Sequence, residues 1–144
     1  MNFYSLNGKA PEVGLEEAVV RGIAPDKGLY FPESITPLPQ SFFDNIENLS
    51  NNEIAFTAIR QFVDGVIPDE ALKDIIADVL SFDFPVVEVE ENIGTLELFH
   101  GPTMAFKDVG ARFMARCLGY FSEVFWVFPS FLGPEKWKTV VKLP

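Results

Sequence analysis

Lys107 is the side chain in this sequence best suited to covalent chemistry. It lies in the stretch His100-Gly101-Pro102-Thr103-Met104-Ala105-Phe106-Lys107-Asp108, just ahead of a helical pattern. If that helix begins near Ala105, the ammonium group falls in its first turn, where unpaired N–H groups carry partial positive charge. A second positive charge is disfavoured there, which favours the neutral amine, the nucleophile that forms an imine with a carbonyl compound. The bland alternative is a solvated lysine, because tuning an amine requires burial that a sequence does not display.

The neighbouring residues each have an ordinary reading as well. Asp108, a carboxylate in a first helical turn, complements the helix dipole without any further role. Gly101, Pro102 and Thr103 fit a strand-to-helix turn with Thr103 as a possible cap. His100, the only histidine, has the chemistry of a general acid or base, but a single histidine at a strand end is expected to be a hydrogen-bonded structural residue. A metal site would need carboxylates for nearly all its ligands, and no such cluster stands out. Cys117, the only cysteine, excludes an internal disulfide and reads as a small buried thiol. Asp26, Lys27 and Gly28 have tight-turn chemistry and no evident binding role.

Several elements would position these groups. Leu15, Ala18, Val19 and Gly22 share one face of a short helix closed by glycine. The following stretch to Gln40 is interrupted by Pro32, Pro37 and Pro39 and reads as an ordered or extended loop. Ser50-Asn51-Asn52-Glu53 fits a reciprocal capping box ahead of the apolar stripe Ile54, Ala55, Ala58, Ile59, Phe62 and Val63. Pro68 suits a first helical position, with Ala71, Leu72, Ile75, Ile76, Val79 and Leu80 repeating at three and four. This second helix is expected to pack beside the first. Beyond Pro85 the period changes to two over Val87 and Val89, and again over Leu96 and Leu98, which predicts two strands. From Ala105, the residues Phe106, Val109, Phe113, Met114, Cys117 and Leu118 restore a helical stripe.

Composition limits the partners. The chain has 144 residues, 48% of them hydrophobic, enough for one core and too apolar for a disordered chain. A formal charge of -10 makes nucleic acid and anionic membrane surfaces poor partners. The amino terminus lacks a basic start followed by an apolar run, and no stretch reaches the roughly 20 apolar residues that span a bilayer. A cytoplasmic protein is expected.

Two separated segments resemble one family. Glu97 to Phe121, ELFHGPTMAFKDVGARFMARCLGYF, resembles the lysine segment of threonine synthases that holds pyridoxal 5'-phosphate (PLP), and Tyr4 to Glu33 resembles their amino-terminal signature. The resemblance implies a PLP enzyme of the fold shared with the tryptophan synthase beta subunit, taking O-phosphohomoserine and water to threonine and phosphate. Lys107 would then hold the cofactor and shuttle protons. Phe106 and Asp108 would flank it as cofactor-binding neighbours, and His100 to Thr103 would form the approach loop. The expected fold is α/β, with a mainly helical small N-terminal domain over residues 1–85 and the truncated start of a PLP-binding α/β domain over 86–121.

Residues 122–144 depart from that pattern. They hold both tryptophans, and three lysines against two acids, whereas the preceding chain is strongly acidic. Proline and glycine interrupt every candidate element. This tail is expected to lie outside the family sequence, from a shifted reading frame or an artificial terminus. The family's Ser-Gly-Asp-Thr-Gly type loop and glycine-rich phosphate cradle are not in the sequence. The expectation is therefore an inactive N-terminal fragment of the enzyme. Two other readings are a related PLP-dependent phospho-lyase acting on another phosphorylated substrate, and a non-catalytic interaction module with an exposed aromatic tail.

Overall fold

The computed structural model describes residues 1–63 and 65–122. The chain forms two compact units, residues 1–78 and 79–144. The architecture is α/β, with five α-helices and two small antiparallel sheets among the described residues.

The first unit opens with β1 (Asn2–Ser5), β2 (Val13–Gly14) and α1 (Leu15–Arg21), and continues into β3 (Tyr30–Pro32). The three strands pair antiparallel in the order β2-β1-β3, with Phe3 opposite both Val13 and Pro32. Alternation along β1 turns Phe3 and Ser5 inward, where Phe3 joins Val13, Leu15, Ala18 and Ala24 in a small apolar cluster. This sheet corrects the reading of residues 23–40 as loop. Strands of two to four residues carry too few alternations to register as a period, and Pro32 is tolerated because β3 lies at the sheet edge.

Ser5 is a buried polar residue, and Asp26 satisfies it. The Ser5 hydroxyl donates to Asp26 Oδ1 at 2.6 Å, while the backbone N–H groups of Gly28 (3.0 Å) and Lys9 (2.9 Å) donate to the same carboxylate. Gly28 must be glycine, since a Cβ there would collide with the Ser5 hydroxyl and stand 2.9 Å from the Asn7 nitrogen. Asp26-Lys27-Gly28 is therefore a turn, as its residue types indicate, and also the fastener that joins the sheet to the segment after α1.

Helix α1 ends at Gly22, whose positive φ of 71° is one that a glycine adopts freely. After α2 (Gln40–Asp44) and a 3-10 turn come α3 (Asn51–Val63) and α4 (Asp69–Val79). The capping box forms as the spacing predicts: Ser50 N–H donates to Glu53 Oε2 at 2.8 Å, and Glu53 N–H donates to Ser50 Oγ at 3.3 Å. Val63, Ile67, Leu72 and Ile76 are buried, and two side-chain contacts join the helices. Lys73 lies 5.6 Å from the Phe56 ring centre, and Arg60 pairs with Asp69 at 2.9 Å. Pro68 stands one residue before α4, where its carbonyl accepts the Leu72 N–H.

In the second unit, β4 (Val86–Glu90) and β5 (Ile93–Leu96) form an antiparallel hairpin, followed by α5 (Asp108–Phe121). Asn92 takes the left-handed conformation at the turn, φ 64°. The second strand lies earlier than the Leu96 and Leu98 alternation implied, because register pairs Val86 with Leu96 and Val87 with Thr95. Both strands are exposed along their length, so the alternation marks the pleat and no buried face. Helix α5 begins at Asp108, three residues after the expected Ala105. Met104 is left-handed, φ 56°, and residues 105–107 form a turn closed by the Asp108 N–H on the Ala105 carbonyl, so the helix starts later. Consequently Phe106 lies in the loop, 67% exposed, and does not join the stripe that buries Cys117.

Candidate active site

The segment from Glu97 to Lys107 runs from the end of β5 into α5 as two linked turns. Met104 N–H donates to the Gly101 carbonyl at 3.0 Å, and Asp108 N–H donates to the Ala105 carbonyl at 3.0 Å. The first helical hydrogen bond of α5 follows, from Ala111 N–H to the Lys107 carbonyl at 2.9 Å. Lys107 is therefore the residue at which the loop becomes a helix, with φ -70° and ψ -13°. Its side chain is exposed and makes no ion pair among the described residues.

Asp108 is only 4% exposed. Its carboxylate turns back along the chain: Oδ2 accepts the Thr103 N–H at 2.9 Å, and Oδ1 accepts a short hydrogen bond from the Thr103 hydroxyl. Burial raises the pKa of such a group, but donors from Thr103 and the Ala105 backbone, with the Arg112 guanidinium one turn along, outweigh it and hold the carboxyl below its usual range. The expected capping relationship is thus inverted. Thr103 does not cap α5; its side chain is held by a carboxylate from the first residue of the helix.

His100 bonds Glu97, Nε2 to Oε2 at 2.6 Å, and stacks on Phe99 with ring centres 4.8 Å apart. This matches the expected hydrogen-bonded role. The importance of Glu97 and Gly101 was not legible in advance. Gly101 lies against Asp108, and the only sequence signal was a small residue seven positions before a carboxylate. Burial of Cys117 pushes its thiol up to about 11, which leaves it protonated and unreactive.

An exposed amine follows a buried-carboxylate clamp, after a hairpin and before a helix. Comparison with known proteins shows the family of the chain. Residues 2–80 match the family described as threonine synthase N terminus. The chain belongs to the threonine synthase family. A threonine synthase from Haemophilus influenzae is 39% identical over 118 residues, covering 82% of this chain and 27% of the relative. The threonine synthase of Saccharomyces cerevisiae is 35% identical over 133 residues. Among solved structures, threonine synthase from Escherichia coli superposes with a TM-score of 0.78 at 35% identity, over 84% of this chain and 28% of that one. PLP-bound threonine synthase from Brucella melitensis gives the same TM-score at 32% identity. The chain spans about a quarter of the length of the threonine synthases it matches.

The described part of the chain reaches Ser122, and the expectation about a non-family tail falls on residues that lie almost wholly outside it. Among the described residues, no helix is long and apolar enough to cross a membrane.

Proposed function

We propose that this chain supplies the lysine-bearing N-terminal part of a cytoplasmic, PLP-dependent threonine synthase, which converts O-phosphohomoserine and water to threonine and phosphate. The observation that carries the reading is Lys107: an exposed primary amine at a loop-to-helix junction held by buried hydrogen bonds, in a chain of this family. The domains follow the same reading, a small helical domain over 1–85, the start of the cofactor domain over 86–121, and a tail outside the family over 122–144.

The residues present fit one end of PLP. Lys107 Nζ is free to take the cofactor aldehyde and later to accept or return a proton at the substrate carbon. When bound, PLP supplies an electron sink for carbanions. Phe106 offers an exposed apolar ring beside the amine, and Asp108 stands on its other side. The phosphate end is different. Asp108 takes its donors from the loop before α5, and the family's glycine-rich phosphate cradle is not in the sequence. A polypeptide of these 144 residues alone is therefore expected to be inactive.

Trapping with PLP and borohydride, then peptide mapping, tests the reading. Lys107 is expected to take a few-fold more label than Lys9, Lys27 or Lys73, an excess that comes from its held backbone at the loop-to-helix junction. Equal labelling of all four would count against Lys107. Phosphate release from O-phosphohomoserine should not exceed that of a Lys107→Ala control, with an intact homologous threonine synthase as the positive standard. Release above that control would disprove the inactivity.

A further inference from the structure

We propose that Asp108 and Thr103 are positioning residues for Lys107, the buried carboxylate clamping the loop from Gly101 to Phe106 and so fixing the backbone that presents the amine. This rests on reading Lys107 as the cofactor lysine and adds the means by which that lysine is held.

A carboxylate that merely complements a helix dipole stays solvated and points outward. Asp108 does the opposite: it is buried, and it reaches back to Thr103 with both oxygens. Oδ2 takes a backbone donor and Oδ1 a side-chain donor, both from Thr103. Charge-assisted bonds of this kind are shorter and stronger than neutral ones. Gly101 is shaped to the same purpose, because a Cβ there would strike the carboxylate. Between these anchors Met104, which is not a glycine, sits at φ 56°. A left-handed methionine persists only where its surroundings over-determine it. Lys107 lies within the turn closed by the Asp108 N–H on the Ala105 carbonyl, and its own carbonyl accepts the Ala111 N–H of the first helical turn. The backbone carrying the amine is bonded on both sides. Reactive groups need placement to about 0.5 Å, supplied by neighbours that are themselves locked. The clamp gives Lys107 such neighbours without touching its side chain.

The test compares the full chain with Asp108→Asn, Thr103→Val and Thr103→Ser. Amide hydrogen exchange at Thr103 and Met104, whose N–H groups bond Asp108 and the Gly101 carbonyl, reads the clamp, and PLP–borohydride labelling reads the amine. Asp108→Asn and Thr103→Val should speed exchange at both amides about tenfold, as expected from losing one charge-assisted bond. In both variants Lys107 should lose its excess of label and fall to the level of Lys9, Lys27 and Lys73. Thr103→Ser keeps the hydroxyl and should restore both values. Should Asp108→Asn unfold the unit, Thr103→Val and its serine counterpart decide the matter. Unchanged exchange overturns the clamp. Faster exchange with undiminished labelling of Lys107 overturns positioning and leaves the cofactor-lysine reading intact. Equal labelling of all four lysines in the unaltered chain removes both.

Discussion

Gly101 and Asp108 are packed so closely that neither position is independent of the other. A Cβ at Gly101 would stand 2.9 Å from both Cβ and Cγ of Asp108 and would collide with its Oδ2. The atoms in the way belong to a buried side chain with its own hydrogen bonds, so they do not move aside cheaply. Gly101→Ala is expected to cost about 1–3 kcal/mol, the usual scale for overpacking. Urea unfolding followed by circular dichroism measures it. A midpoint equal to that of the unaltered chain would mean the approach is looser than it stands here.

Leu72, on α4, is fully buried. Truncation removes its transfer free energy and leaves a cavity that rigid helices fill only in part. Leu72→Ala should destabilise the first unit by about 2–5 kcal/mol. The same unfolding measurement reads the effect, and a loss under about 1 kcal/mol would show that the helix pair collapses around the gap.

Acid should loosen the protein through three carboxylates. The Ser5 hydroxyl, with backbone donors from Gly28 and Lys9, lowers the pKa of Asp26, and the Ser50 hydroxyl and N–H lower that of Glu53. Asp108 is lowered as well, its donors prevailing over burial. A carboxyl lowered in the folded state adds stability above its unfolded value of about 4, and that stability disappears as pH falls through the lower folded value. Unfolding midpoints should therefore hold between about pH 5 and 7 and decline below about 4. Asp26→Asn removes one contributor, so its decline should be shallower. An identical slope in the two proteins would exclude Asp26 from the effect.

Cys117 should resist alkylation while the chain is folded. The thiolate is the reactive form, and burial holds the thiol up to about 11. At pH 8 the native chain is expected to react with iodoacetamide on the order of a hundredfold more slowly than in urea, where the thiol returns to an ordinary value near 8.5. Comparable rates in the two conditions would show that α5 opens readily around this residue.

By itself the sequence determined the features that depend on neighbours in the chain. The capping box at Ser50 and Glu53, the two apolar helices behind it and the glycine stop at Gly22 rest on contacts three to four residues apart, and their spacing announces them. The hairpin was legible for the same reason, since alternation is local, although its register and exposure were not. Lys107 stood out by its place before a helix and by the resemblance of its surroundings to one family.

Tertiary structure decided what depends on distant partners. Pairing of β1 with β3 joins residues 3–5 to 30–32, and strands this short have no period to read. Asp26 fastens Ser5 from 21 residues away, a distance at which residue type carries no signal. The start of α5 was misplaced because an apolar stripe does not reveal that residues 105–107 close a turn, with the Asp108 N–H on the Ala105 carbonyl, before the helix begins. Asp108 was read as a dipole partner for its own helix, which is all that local physics requires of a first-turn carboxylate. Burial turned it back toward Thr103, because a carboxylate withdrawn from water must find donors within the fold.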